Sequence, residues 1–171
     1  MQTYTLMRNT INRFIDTYGV NKVHYGIIVY GNQVYRVIDF NHTFPPSASE
    51  VKAAIDTQPP TPGPTVLSGS LQETLRIFNE TMGRPKAKKV LVVITDSNSP
   101  TDNKDTLTAA VRPLENNKIL VISVTIGNVN RTELRIISPN PLDVISVQPS
   151  INPGVLSERI MDRILRRKNY S

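Results

Sequence analysis

KVLVVIT, residues 89–95, and ILVISVTI, residues 119–126, decide the fold. Each is a nearly unbroken apolar run, rich in β-branched residues and too short for a core helix. A half-exposed strand alternates apolar with polar; a strand covered on both faces does not. Both runs therefore predict strands buried between layers. Between them Leu107, Val111 and Leu114 recur at helical spacing, with Asp102 or Asn103 as the expected N-cap. Strand, helix, strand in this order predicts a parallel pair joined by a crossover helix.

The rest of the chain fits that frame. Tyr4, Met7, Ile11, Phe14, Ile15 and Tyr18 mark an opening helix, with Gly19 as its C-cap. Residues 23–30 and 33–40 read as a hairpin around Gly31-Asn32. Ser47 or Ser49 caps a short helix carrying Val51, Ala54 and Ile55, and QPPTPGPT, residues 58–65, is a loop. Leu67, Leu71, Leu75 and Phe78 form the stripe of a longer helix. A short helix holds Leu134 and Ile137, residues 144–147 form a last strand, and Leu156, Ile160, Ile164 and Leu165 line a closing helix after Pro153-Gly154. The pattern predicts one α/β domain over residues 1–168 with a tail at 169–171. Its sheet is open, doubly wound and mostly parallel, with one antiparallel edge strand.

Composition narrows the function. The 171 residues contain no Cys and no Trp, which excludes a disulfide scaffold, a thiolate metal site and a thiol nucleophile. No run of about 18 apolar residues predicts a membrane-spanning helix. Lys and Arg number 20 against 14 Asp and Glu, a formal charge of +6. The cations concentrate at Arg84, Lys86, Lys88 and Lys89 and at Arg166, Arg167 and Lys168. These clusters read as solvated loop and tail rather than as a nucleic-acid site.

In open α/β sheets, ligands sit beyond the carboxyl ends of the strands. Asp96 follows a buried strand directly, and Thr65 closes the Pro-rich loop at a helix start. Alone, Asp96 reads as a turn residue and Thr65 as a cap; together they supply oxygen donors suited to a hard cation. His24 and His42 have no identifiable carboxylate or Ser partner, and no phosphate loop, dinucleotide fingerprint or nucleophile elbow is present.

The strand of residues 90–96 followed by SNSPTD resembles the fourth strand and loop of von Willebrand factor A domains. Gly63-Pro64-Thr65 with Gly69 and Leu71 resembles the family's Gly-Gly-x-Thr loop. HYGIIVYG, residues 24–31, is similar to its second strand, and residues 119–127 to its fifth. The resemblance runs along essentially the whole chain in the right order. It implies a non-enzymatic protein-binding module of the extracellular-matrix or cell-adhesion kind, in which Mg²⁺ or Mn²⁺ sits at a metal-ion-dependent adhesion site. Thr65 and Asp96 correspond to two of its ligands, and Pro64, Ser97, Asn98 and Ser99 to its ligand-binding rim.

The family's Asp-x-Ser-x-Ser motif is absent, and Ser97 stands where the family usually has Gly. The resemblance thus implies a record that lacks the central first strand, from a longer extracellular or secreted protein. It also implies weak or no Mg²⁺ binding by this chain, and strands 23–30 and 89–95 either paired directly or separated by an empty slot. Partners implied are matrix or cell-surface proteins, collagen-like ones among them, and not nucleic acid. Sequons at Asn41, Asn79, Asn130 and Asn169 are glycosylation candidates. Two other readings stay open: a nucleotide-using or hydrolytic α/β enzyme with Asp96 as its metal or catalytic carboxylate, and an intracellular degenerate domain of the same family.

Overall fold

A computed structural model describes residues 2–40, 46–61, 63–80, 84 and 86–167. The chain runs α1 (Gln2–Tyr18), β1 (Ile27–Tyr30), β2 (Val34–Ile38), α2 (Ala48–Asp56), α3 (Leu67–Glu80), β3 (Val90–Thr95), α4 (Lys104–Asn116), β4 (Leu120–Ile126), α5 (Thr132–Ile137), β5 (Val144–Val147) and α6 (Pro153–Arg166). Caps set the helix ends. Ser47 and Glu50 close a capping box on α2, Asn103 and Thr106 close one on α4, and Asn152 caps α6 with Pro153 in its first turn. Gly19 stops α1 at φ +69°, the left-handed conformation that lets its N–H reach the Ile15 carbonyl.

β3, β4 and β5 form a parallel sheet in that order, with Val90 beside Leu120 and Thr95 beside Thr125. Period-two alternation then sorts the side chains. Val90, Val92 and Ile94, with Leu120, Ile122, Val124 and Ile126, pack on α1 and α6 through Leu6, Leu156 and Ile160. Leu91, Val93, Ile119 and Val121 pack on α3, α4 and α5 through Leu71, Leu107, Leu114 and Leu134. On this second face Ser123 and Ser138 share a buried hydrogen bond of 2.7 Å, and Ser138 also donates to the Val121 carbonyl. Their burial is therefore satisfied, and it pins the end of α5 to β4. No helix among the described residues is long and apolar enough to cross a membrane.

The hairpin β1–β2 is antiparallel and forms a separate two-stranded sheet, packed with α1 and α2 around Ile15, Val51 and Ile55. β1 and β3 are not paired with one another, and no described strand lies between them. Of the two arrangements expected, direct pairing is therefore not the one found: the strands form two separate sheets. The break shows in burial. Every residue of β4 is buried, whereas only Val93 and Thr95 of β3 are. β3 reads in sequence like a covered strand, yet one of its edges has no neighbouring strand among the described residues.

The same absence shortens β1. Residues 23–26 do not form strand: β2 ends at Ile38, which pairs with Ile27, and no described residue extends the ladder beyond that pair. The turn also differs from the two-residue expectation. Tyr30 pairs with Val34, so Gly31, Asn32 and Gln33 form a three-residue connection closed by Gly31 N–H donating to the Gln33 carbonyl. At the other end of the chain, Pro153 and Gly154 open α6 rather than precede it.

Gly31 is held by a close approach. A Cβ there would lie 2.5 Å from Thr61 Oγ1 and 3.1 Å from the Thr61 carbonyl, which is backbone and cannot swing away. Gly31→Ala is expected to lower stability by about 1–3 kcal/mol, an overpacking cost. Gly69→Ala, in helix α3 and meeting only Val34 and Val66 side chains at 3.3 Å, is expected to stay within about 1 kcal/mol of the parent. Chemical denaturation of the two variants checks this ordering.

Candidate functional site

The carboxyl ends of β1, β3 and β4 face one crest, built from residues 57–61, 63–66, 96–103 and 127–131 and the first turn of α1. Side-chain bonds to backbone hold these loops. Thr61 Oγ1 donates to the Tyr30 carbonyl at 3.1 Å, and Val66 N–H donates to the Gly31 carbonyl at 2.9 Å, tying the Pro-rich loop to the hairpin. Tyr4 of α1 donates its hydroxyl to the Gln58 carbonyl at 2.6 Å.

Asp102 is the central tie. Its Oδ2 accepts from the N–H groups of Leu67 and Ser68 at 2.8 and 3.0 Å, and its Oδ1 from the Ser68 hydroxyl at 2.5 Å. It thus caps α3, not α4, whose cap is Asn103. A carboxylate at a helix N-terminus satisfies orphan donors and meets the positive end of the dipole. Ser99, 2% exposed, adds a bond from Leu67 N–H to its hydroxyl, and its own N–H donates to Glu133 Oε2 at 2.9 Å. Asn98 and Asn130 exchange amide-to-backbone bonds of 3.0 and 3.3 Å, joining the loops after β3 and β4.

Within this frame the structure brings Thr65 and Asp96 to the same part of the crest. Thr65 is buried, with its Oγ1 2.9 Å from Ser97 Oγ. Asp96 is exposed, and its Oδ2 accepts the Thr3 hydroxyl at 2.5 Å. Pro64 is exposed, Asn98 is half-buried and Ser99 lies beneath the surface. Sequence reading missed Thr3, Glu133 and the role of Asp102. All three act between segments far apart in the chain, and no local pattern marks them. His24 precedes β1, at the opposite end from the crest, and His42 and Asn41 lie outside the described residues.

Tyr30 closes the floor of the crest. It packs against the core beside α3, with its hydroxyl sealed beside Thr95 and making no bond of good geometry. Thr95 Oγ1 spends its proton on the Ser97 carbonyl. Burial pushes the Tyr30 pKa up to about 12.

Mg²⁺ demands near-octahedral oxygen coordination and sheds water reluctantly, so a protein must offer several anionic or well-placed donors. The crest offers one exposed carboxylate, already engaged by Thr3, and two hydroxyls bonded to one another. Asp102 faces α3, and Glu133 faces the Ser99 N–H. Among the described residues no three acidic or histidine side chains converge on one point. The donors present do not fit a tightly held divalent ion.

A family model for the von Willebrand factor type A domain matches residues 1–152. Among solved structures the chain is similar to proximal thread matrix protein 1 from the mussel byssus, at TM-score 0.81 and 21% identity over 95% of this chain and 42% of that one. A structure of the same mussel protein has its MIDAS motif occupied by zinc. A von Willebrand factor type A protein from Catenulispora acidiphila gives TM-score 0.75 and 19% identity over 96% of this chain and 38% of that one. Manganese-loaded TRAP protein of Plasmodium vivax gives 0.68 and 13% over 90% of this chain and 65% of that one. The chain thus spans less than half the length of the mussel and Catenulispora chains.

Two variants probe the crest. Asp102→Ala removes three accepted bonds from the start of α3 and is expected to cost about 1–2 kcal/mol by denaturation. Tyr30→Phe removes an unbonded buried hydroxyl and is expected to be neutral or stabilising by up to about 1 kcal/mol. The linkage follows in sign. The folded-state pKa lies above the unfolded value, so the contribution of Tyr30 is constant below pH 10 and is lost as pH rises from 10 towards 12. Tyr30→Phe should make that alkaline fall shallower, leaving the contribution of Tyr25, also raised to about 12 by burial.

Proposed function

The chain belongs to the von Willebrand factor type A family, and on that premise we propose that it is a non-enzymatic module that binds a protein partner at the crest around Thr65 and Asp96. Domains of this family are in general interaction modules. The observation that carries the reading is the division of labour at the crest. Asp102, Ser99 and Glu133 spend their polar atoms on fixing loops, while Asp96, Pro64 and Ser97 face outward on that fixed frame. A preorganised rim of this kind loses little entropy when a partner docks. The carboxylate–hydroxyl pairs of the described crest, Asp96 with Thr3 and Asp102 with Ser68, tie segments together and have no histidine beside them, which disfavours the hydrolytic alternative.

The partner we propose is a matrix or cell-surface protein, collagen-like proteins included. The mussel byssus matrix protein supports this by likeness of fold, and the sequons are compatible with it. Of these, Asn79 and Asn130 are exposed. A glycan on Asn130 would stand beside Asn98 at the edge of the rim, so glycosylation there would narrow access to it. The parent protein is proposed to be extracellular or secreted.

The proposed recognition does not depend on a strongly held metal. Titration calorimetry of the chain with MgCl₂ and MnCl₂ is expected to give no stoichiometric binding tighter than ~1 mM. A one-to-one site of micromolar affinity would overturn the donor argument. Binding to immobilised fibrillar collagen is expected to survive EDTA and to weaken about tenfold or more in Asp96→Ala, a change of about 1.4 kcal/mol. Binding that is unchanged in that variant would move the partner surface away from the crest.

A further inference from the structure

The two basic clusters, some 80 residues apart in sequence, form one surface. Lys88 Nζ donates to the Ile164 carbonyl at 2.5 Å and to the Arg167 carbonyl, so it caps the end of α6. Arg167 in turn grips Asp143, whose carboxylate is buried, through bonds from Nε at 2.9 and 3.2 Å and one from Nη2. These contacts clamp the last turn of α6 to the segment entering β3 and to the turn entering β5. The Lys89 carbonyl accepts from Leu120 N–H at 3.0 Å, which sets Lys89 beside the segment of Lys118. The amino ends of the strands therefore gather Lys86, Lys89, Lys118, Arg163 and Arg166, at the pole opposite the crest.

Ordinary structural roles account for only part of this. Arg163 and Arg166 complement the negative end of the α6 dipole, and Arg166 also pairs with Asp162. Lys86, Lys89 and Lys118 lie on no helix. Among the described residues none of these three lysines has an acidic side chain within ion-pair distance. The pole is also crowded. Burial and then the nearby Arg167 charge hold the Lys88 pKa below the usual lysine range. Lysines gathered at one end of the sheet with no described carboxylate paired to them produce a potential that draws in a polyanion.

We propose that this pole is a second binding surface, distinct from the crest, for a linear sulfated polysaccharide. Lysine ammonium groups meet sulfate as point charges and need no planar geometry. No described aromatic residue belongs to the segments that carry these cations, so nothing on them offers the stacking platform that single-stranded nucleic acid uses. Leu165 and, beside Asp143, Leu142 are the large apolar side chains exposed at this end among the described residues, too little area to enter a lipid surface.

The test compares two triple variants of equal charge. Lys86→Gln, Lys89→Gln and Lys118→Asn neutralise the pole; Asn is chosen at Lys118 because its φ is +55° and Asn tolerates that region. Lys104→Gln, Arg131→Gln and Arg135→Gln remove the same charge near the crest. Both are checked for an unchanged thermal midpoint. Binding to a heparin oligosaccharide is measured by surface plasmon resonance at two salt concentrations, with duplex DNA and phosphatidylserine vesicles as competitors. The proposal expects the pole variant to bind about tenfold or more weakly with a shallower salt dependence, and the crest variant to stay within about twofold. Equal weakening of both variants would reduce the effect to net charge and overturn it. So would no heparin binding by the parent, or tighter binding to DNA or vesicles than to heparin.

Discussion

The parallel ladder between β3 and β4 is the interaction on which the rest depends. Six residue pairs in register, Val90 with Leu120 through Thr95 with Thr125, fix both chain direction and side-chain face. Because the strands run the same way, their carboxyl ends deliver the Asp96 loop and the Gly127 loop to one crest. Their amino ends deliver Lys89 and Lys118 to the opposite pole. Because side chains alternate, one set of apolar residues calls for α1 and α6 and the other for α3, α4 and α5. A slip of one residue would exchange the faces and expose both sets.

The crest is a structure of ties before it is the proposed binding surface. Its acidic residues are divided between tasks that a close metal site would combine. Asp102 serves α3, Glu133 serves the loop after β3, and Asp96 serves the first turn of α1 through Thr3. A cation would have to draw two of these away from bonds they already make, which removes much of its gain. The same ties make the rim rigid, and rigidity favours protein recognition. The site is thus better suited to contact than to coordination or to proton transfer.

Much of the fold was legible because its signals are local. Apolar runs gave β3, β4 and β5, helical stripes gave α1, α3, α4 and α6, and Ser47 announced α2. Two kinds of feature were not legible. Strand extent depends on partners: residues 23–26 carry strand-like side chains but have no ladder to join. Long-range ties depend on the assembled fold: Asp102 looks like the cap of the helix that follows it and instead caps one that begins 35 residues earlier. At the site, Thr65 and Asp96 were readable from their places after a loop and a strand. Thr3 and Glu133 were not, since their meaning lies only in what they face. The basic clusters were read as separate because sequence distance conceals that the Lys88 ammonium bonds the end of α6.

The interrupted sheet is the feature that most constrains this account. β1 and β3 each present one edge without a neighbouring strand among the described residues, and β3 is correspondingly half-buried where β4 is fully buried. Residue-resolved amide hydrogen exchange by NMR tests this most directly. The account predicts strong protection at the β4 amides from Ser123 to Thr125, where the strand is paired on both sides, and alternating protection along β3, with the amides that point away from β4 exchanging fast. Uniform protection along β3, equal to that of β4, would show a second ladder on its free edge and would contradict the broken sheet.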